Sequence, residues 1–217
     1  MRPVLCAITD RRRWGVAVEA LPSHVGALAR AGVDLVQVRE RDLEGGALVN
    51  LVSATVAAVR GTRTRVIVSD RLDVALAAGA HGVHLRGDSA PAARVRAIVP
   101  PGFLVGRSVH AVDEGVAVAR AGGLDYLLFG TVFETDSKPG RAAAGLEPLT
   151  RLIAAVRLPV LAIGGMSLDQ GRVVRDSGAA GVAAVRLFGG ADPAAAASAA
   201  RRAFDSAWGF LDNLRTN

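Results

Sequence analysis

The sequence has little of what marks secreted, membrane or disulfide-bonded proteins. Its 217 residues include one cysteine and 4% aromatic residues. No apolar run approaches the ~20 residues that span a bilayer, and the opening run 4–9 is too short for a signal peptide. Cys6 lies inside that run, where a small buried hydrophobe without a functional role is expected. We therefore expect a soluble, cytoplasmic protein with no membrane partner.

Lysine is nearly absent, because Lys138 is the sole lysine among 26 basic residues and the formal net charge is +6. The arginines are scattered, without interleaved aromatics, a helix-turn-helix pattern or zinc-ligand spacing, so a nucleic-acid partner is not expected. The charge instead favours small anionic ligands. Lys138 is a candidate for a contact that needs a compact ammonium group.

The sequence does contain a regular alternation of short apolar runs and longer segments of helical period. The predicted strands are 4–9, 35–40, 66–70, 82–85, 104–109, 126–130, 160–164 and 182–187. The predicted helices are 23–31, 46–59, 71–78, 92–99, 112–121, 149–156, 168–177 and 193–207. Eight such units indicate one domain, residues 1–217, folded as a single (β/α)8 TIM barrel. A doubly wound sheet is disfavoured, since no G-x-G-x-x-G turn follows the first strand.

Chemistry in such a barrel lies at the carboxyl ends of the strands. The second predicted strand places Gln37, Arg39 and Arg41 on one face, which should point into the barrel. Buried guanidinium groups need anionic partners, either a bound ligand or carboxylates of the protein. The carboxylates available for such internal pairs are Asp10, Asp70 and Glu134.

The fifth predicted strand ends with Ser108 and His110 on one face. Histidine is the side chain best suited to proton transfer near neutral pH, so His110 is the main candidate for a catalytic residue and Ser108 its neighbour. His84, at the end of the fourth predicted strand, is a weaker candidate. The spacing of the histidines does not indicate a zinc site.

Two further segments indicate anion binding. Thr135, Ser137 and Lys138 lie in the long loop 131–145, which has neither strand nor helix period and is typical of a binding loop. The seventh and eighth predicted strands end at Gly164, Gly165 and Arg186, where many barrels bind a phosphate group through backbone N–H groups.

The motifs together resemble the thiamine phosphate synthase and TenI superfamily of small barrels. They are A-I-T-D (7–10), V-Q-V-R-E-R (36–41), R-L-D-V-A-L (71–76), G-V-H-L (82–85), G-R-S-V-H (106–110), D-Y-L-L-F-G-T-V-F-E-T-D-S-K-P-G (125–140) and A-I-G-G-M (162–166). The resemblance runs nearly end to end. It implies a barrel that binds a phosphorylated thiazole, and superfamily barrels are often small homo-oligomers.

The superfamily contains two activities with different cofactor needs. The synthase joins a pyrimidine methyl diphosphate to a thiazole phosphate with Mg²⁺ and releases pyrophosphate. Its usual metal aspartates follow the third and fourth strands, where this sequence has Asp70 and, in the second position, Ser89 with Asp88 beside it. The thiazole tautomerase of the TenI branch needs no metal and aromatises a carboxythiazole phosphate by a proton shift. G-R-S-V-H resembles the TenI branch, so the sequence favours the tautomerase.

The resemblance implies a role for each candidate residue. In a tautomerase, His110 would shuttle the proton while Ser108 orients the ring, and Arg39 and Lys138 would hold the substrate carboxylate. The remaining thiazole and phosphate contacts would be Thr135, Ser137, Gly164, Gly165 and Arg186. The alternatives are a synthase, which retains Gln37, Arg39, Asp70, Thr135 and Lys138 and has Arg41 in place of a usual lysine, and a non-catalytic thiazole-phosphate-binding regulator.

Overall fold

Eight parallel strands close into a barrel in the computed structural model, which describes residues 2–135 and 143–208. The strands are β1 Val4–Ile8, β2 Leu35–Val38, β3 Arg65–Ser69, β4 Gly82–Leu85, β5 Leu104–Val109, β6 Tyr126–Gly130, β7 Val160–Ile163 and β8 Gly181–Ala184. They pair in chain order, and β1 closes the ring against β8 with Val4 opposite Gly181. The predicted (β/α)8 fold is confirmed.

Helices follow the strands and cover the outside of the barrel. Those of the described residues are α1 Arg11–Trp14, α2 Leu21–Arg30, α3 Gly45–Ala58, α4 Leu72–Ala77, α5 Ala92–Arg96, α6 Val112–Ala121, α7 Leu146–Ala155, α8 Gly171–Asp176 and α9 Pro193–Ala207. Short 3₁₀ segments lie at Leu168–Gln170 and Arg186–Phe188. Across residues 2–135 and 143–208, no helix combines the length and the apolar character needed to cross a membrane.

The end of the eighth strand differs from the prediction. The apolar run 182–187 predicts a strand that carries Arg186, but β8 ends at Ala184 and Val185 already has helical backbone angles, φ −94° and ψ −60°. The chain turns here because the 3₁₀ segment brings Phe188 into the core, where it is fully buried. Arg186 therefore begins a turn at the mouth of the barrel.

The core has an inner and an outer layer that follow the alternation of the strands. Along β1, Leu5 and Ala7 pack outward against the helices, while Cys6 and Ile8 point into the barrel. The Cys6 side chain is completely buried, and burial raises the pKa of its thiol to about 12. Because only a thiolate is an effective nucleophile, Cys6 is a packing residue, as its sequence position predicts.

Candidate functional site

A cavity of about 380 Å³ opens at the carboxyl ends of the strands. The predicted site residues that line it are Gln37, Arg39, Arg41, Ser108, His110, Thr135, Gly164, Gly165 and Arg186. Strand alternation explains the convergence, because every second residue of each strand end faces the barrel axis. The predicted contacts of Ser137 and Lys138 lie outside the described residues. Asp70 and Asp88 are absent from the lining among the residues described.

The end of β2 contributes positive charge whose nearest carboxylates already have partners. Arg39 is half-buried, and burial followed by the neighbouring charge of Arg41 lowers the pKa of its guanidinium. Asp10 pairs with Arg13 at 3.2 Å between Oδ2 and Nε. Glu40 pairs at 3.2 Å with the arginine that opens α1. Two of the three carboxylates that the sequence leaves open, Asp10 and Asp70, thus pair with other arginines. Arg39 and Arg41 form no ion pair among the described residues, which leaves both for an anionic ligand.

Gln37 provides a polar contact on the same wall of the cavity. Its side chain is 3% exposed, and Nε2 donates to Ser69 Oγ at 3.2 Å. Its Oε1 atom is buried without a hydrogen-bond partner among the described residues. Since buried polar atoms are nearly always paired, Oε1 is placed to accept a hydrogen bond from a bound molecule.

Two buried polar side chains, His84 and Tyr126, lie beneath Ser108. His84 Nε2 is 2.8 Å from Ser108 Oγ, and Nδ1 is 3.0 Å from the Tyr126 hydroxyl. His84 is 2% exposed, and burial lowers the pKa of its imidazole to about 3. The ring is therefore neutral near pH 7, with one nitrogen donating and the other accepting. His84 fixes the Ser108 hydroxyl at the cavity wall.

His84 is only a weaker candidate in the sequence, yet the structure places it in the cavity lining with a hydrogen bond to Ser108. No local sequence pattern marks this role, which depends on the strand register that sets His84 beside Ser69 on β3 and Gly106 on β5. Gly106 is required there, because an added Cβ would lie 2.1 Å from Cζ of Tyr126. That missing side chain leaves room for the Tyr126 ring to reach His84.

His110 is exposed at the rim and its orientation is set by backbone groups. Its Nδ1 atom lies in hydrogen-bond contact with the Gly130 carbonyl, so the neutral ring carries its proton on Nδ1 and offers Nε2 as an acceptor. The His110 backbone N–H donates to Glu114 Oε2 at 2.7 Å. This geometry presents a hydrogen-bond acceptor to the cavity.

The ends of β7 and β8 form a region where backbone approaches the cavity closely. Gly164 and Gly165 have φ values of +102° and +66°, which favour glycine. An added Cβ would lie 2.5 Å from Thr131 Cγ2 in the first case and 2.4 Å from the Glu134 carbonyl oxygen in the second. Arg186 Nη2 lies 3.4 Å from the Thr135 hydroxyl across this region. The arrangement suits the binding of a phosphate group.

The metal site implied for a synthase does not fit the side chains present. Asp70 Oδ2 pairs with Arg86 Nε at 3.0 Å, and Oδ1 accepts a hydrogen bond from Ser89 Oγ. Asp88 is directed to Arg86 Nη2 at 3.2 Å, with 74% of its side chain exposed. A magnesium ion requires oxygen ligands in near-octahedral geometry. The carboxylate of Asp70, which would provide one of these ligands, is instead paired with the guanidinium of Arg86. Asp70 and Asp88 are ion-pair partners of Arg86.

Comparison with known proteins places these observations in a family. Residues 5–188 match the family model described as thiamine monophosphate synthase. A thiamine-phosphate synthase of Roseiflexus castenholzii is 40% identical over 200 residues, covering 91% of this chain and 86% of that protein. One of Methanoculleus marisnigri is 41% identical over 175 residues, covering 80% and 82%. A thiamine phosphate pyrophosphorylase structure from Pyrococcus furiosus has a TM-score of 0.82 at 30% identity, covering 95% of this chain and 97% of that one.

The prediction of a thiazole tautomerase is wrong, because relatives at 35–41% identity carry the name thiamine-phosphate synthase. It relied on G-R-S-V-H and on the missing second metal aspartate after the fourth strand, and three residues of G-R-S-V-H have structural tasks. Gly106 makes room for a tyrosine ring, the Arg107 guanidinium donates to carbonyls of the loop after β4, and Val109 is fully buried. The structural tasks of these three residues do not discriminate between the two reactions. Without the tautomerase reaction, the proton-shuttle role predicted for His110 has no basis.

Proposed function

The chain belongs to the thiamine monophosphate synthase family, and from this premise we propose that it is a thiamine-phosphate synthase. Its substrates would be a pyrimidine methyl diphosphate and a thiazole phosphate. The observation that carries the proposal is a cavity with anion-binding groups on two arcs of the barrel. Arg39 and Arg41 follow β2, whereas Gly164, Gly165 and Arg186 follow β7 and β8. One set of anion-binding groups is thus available for each of the two phosphorylated substrates.

The proposed reaction is a substitution at the methylene carbon of the pyrimidine. The thiazole nitrogen donates its lone pair to form the C–N bond, and the C–O bond to the diphosphate breaks. Pyrophosphate leaves with that electron pair, while the thiazole nitrogen gains a positive charge. Negative charge therefore accumulates on the leaving group, where the guanidinium groups of Arg39 and Arg41 stabilise it.

The cavity wall orients the two substrates. Gln37 Oε1 accepts from an N–H group of a substrate, and Ser108, fixed by neutral His84, contacts a ring. His110 adds an acceptor at the rim. The backbone at Gly164 and Gly165 binds the thiazole phosphate together with Arg186, and Thr135, Ser137 and Lys138 are the remaining proposed thiazole and phosphate contacts.

The floor of the cavity keeps water from the reacting carbon. It is formed by apolar side chains of the strand ends, among them Ile8, Leu128 and Ile163. Water would otherwise compete with the thiazole nitrogen for the methylene carbon. Holding both rings over an apolar surface favours the productive substitution.

Supplying both substrates to the purified protein tests the proposal. We expect equimolar thiamine phosphate and pyrophosphate, measured by chromatography and a coupled phosphate assay. Arg39→Gln should lower kcat/KM by about 10² because it removes a contact to the developing charge. Arg151→Gln is the matched control, since Arg151 pairs with Glu147 on the exposed face of α7. Absence of product from both substrates, with or without Mg²⁺, would exclude the synthase.

A further inference from the structure

The loop that follows β4 presents an arginine at the place where a synthase would bind its metal ion. We propose that Arg86 supplies the positive charge that binds the diphosphate of the substrate, so that this chain binds diphosphate without a divalent cation. The inference rests on the proposed function for the identity of the substrate. Its physical basis is the set of contacts that Arg86 makes with Asp70, Ser89 and the cavity.

Asp70 is already neutralised by the protein. Its two carboxylate oxygens are taken by Arg86 Nε, at 3.0 Å, and by the Ser89 hydroxyl. A metal ion would have to displace the guanidinium and then remain beside it against electrostatic repulsion. The Asp70 carboxylate therefore holds Arg86 in position instead of binding a metal ion.

Arg86 lines the cavity, whereas neither of its two carboxylate partners does among the described residues. Half of the Arg86 side chain is exposed. Arg86 contacts Asp70 through Nε at 3.0 Å and Asp88 through Nη2 at 3.2 Å. A guanidinium has five N–H donors, so several are left to bind phosphate oxygens, and its planar shape suits a bidentate contact.

The protein also fixes the loop that carries Arg86. Arg107 is 6% exposed beneath the loop and donates to the carbonyl oxygens of Gly87 at 3.0 Å, Ser89 at 2.9 Å and Ala90 at 3.3 Å. The Arg86 backbone N–H donates to Ser89 Oγ at 2.8 Å. These contacts hold the loop in shape, so a metal ion is not needed to organise it.

The arginines around the cavity are sufficient to match a diphosphate. The cavity is lined by Arg13, Arg39, Arg41 and Arg86, among others, and its one acidic lining residue among those described is Asp10, which pairs with Arg13. A bound diphosphate would therefore meet an excess of positive charge from side chains alone. The position of Arg86 is fixed by two carboxylates that do not line the cavity, those of Asp70 and Asp88.

Binding of inorganic pyrophosphate, measured by isothermal titration calorimetry in EDTA, tests the proposal directly. We expect the wild-type protein to bind pyrophosphate in EDTA with an affinity within about twofold of that in Mg²⁺. Arg86→Gln should weaken binding at least tenfold, the loss expected for a charge-assisted contact. Arg151→Gln should bind as the wild type does. Binding that appears only with Mg²⁺, or an Arg86→Gln protein that binds normally in EDTA, would overturn the proposal.

A double variant tests whether Arg86 occupies a metal position. Arg86→Gln with Ser89→Asp removes the guanidinium and adds a second carboxylate next to Asp70, which creates a donor set suited to Mg²⁺. Its pyrophosphate binding should be weak in EDTA and recover when Mg²⁺ is added. If pyrophosphate binding by the double variant does not respond to Mg²⁺, Arg86 does not occupy a metal position. Circular dichroism establishes that each variant is folded.

Turnover separates this inference from the proposed function. Wild-type formation of thiamine phosphate should persist in EDTA at a rate within about twofold of that with Mg²⁺, and loss of the product in EDTA alone would overturn the metal-free site. A protein that binds pyrophosphate through Arg86 without making thiamine phosphate in any buffer would contradict the synthase and leave the diphosphate site standing.

Discussion

The buried end of β4 and the loop that follows it hold their polar groups in opposite ways. His84 is buried and neutral, and it is held by hydroxyl groups of Ser108 and Tyr126. Two residues later, Arg86 is half exposed, charged and held by carboxylates. Hydrogen bonds stabilise His84, because a buried polar atom without a partner is costly. Ion pairs with carboxylates stabilise Arg86, because they compensate its charge. The buried part should therefore control stability, and the loop should control ligand affinity.

The largest expected effect comes from filling the space beside Tyr126. Gly106→Ala places a Cβ 2.1 Å from Cζ of a ring that is 6% exposed and packed inside the barrel. Neither the ring nor the strand backbone has room to move, so we expect a loss of about 3 kcal/mol in the free energy of unfolding. Urea denaturation measures it. A loss below about 1 kcal/mol would show that the buried pair of His84 and Tyr126 tolerates displacement.

A smaller effect is expected from Arg107, which joins the two regions because it is buried but supports the exposed loop. Arg107→Met retains most of the side-chain volume and removes the donors to Gly87, Ser89 and Ala90. We expect stability to fall by about 2 kcal/mol and pyrophosphate affinity to fall with it, because Arg86 is no longer held in place. Unchanged pyrophosphate affinity, measured by calorimetry, would contradict the role of Arg107 in supporting the loop.

The buried histidine should give stability a distinct pH dependence. Burial lowers the pKa of His84 from 6.5 to about 3, so between these values the unfolded chain binds a proton that the folded protein does not. Stability is therefore lost as the pH falls below 6.5, by about 1.4 kcal/mol per unit from this group. His84→Gln removes that contribution. Between pH 7 and pH 5.5, denaturation curves should show that the wild-type protein loses about 1.4 kcal/mol more of its free energy of unfolding than the variant does. Equal losses in the two proteins would refute the lowered pKa of His84.

The smallest effect on stability is expected in the loop. Asp88→Asn removes a carboxylate that is 74% exposed and pairs with Arg86 at 3.2 Å. Exposed ion pairs contribute little, so the free energy of unfolding should change by less than about 0.5 kcal/mol. Pyrophosphate affinity should rise slightly, since a negative charge beside the guanidinium is removed. Weaker binding in calorimetry would mean that Asp88 is needed to orient Arg86.

The sequence predicts well those features of the fold and of the site that depend on local patterns. Alternation within a strand is local, so the inward positions of Gln37, Arg39 and Ser108 follow from the pattern alone. The regular succession of strands and helices likewise predicts the barrel. These inward positions are found in the structure, whereas the local pattern is wrong for Arg186, which lies in a turn after β8.

Contacts between distant segments were not predictable in this way. His84 meets Tyr126 across 42 positions, and Asp70 meets Ser89 across 19. Neither contact has a local pattern, so the sequence leaves His84 a weaker candidate and leaves Asp70 open as a metal ligand of a synthase or as an internal ion-pair partner. The tautomerase prediction also came from short segments, since neither G-R-S-V-H nor the missing metal aspartate after the fourth strand reveals that Gly106 makes room for a tyrosine ring and that Arg107 supports a loop.

The complete burial of Cys6 has a practical consequence for spectroscopy. The protein has one cysteine, and its thiol is shielded inside the barrel with a pKa of about 12. Maleimide reagents should therefore leave the folded wild-type protein unlabelled. A cysteine introduced on the exposed face of α7 would then be the single position to carry a fluorophore or spin label, and the native background needs no further mutation.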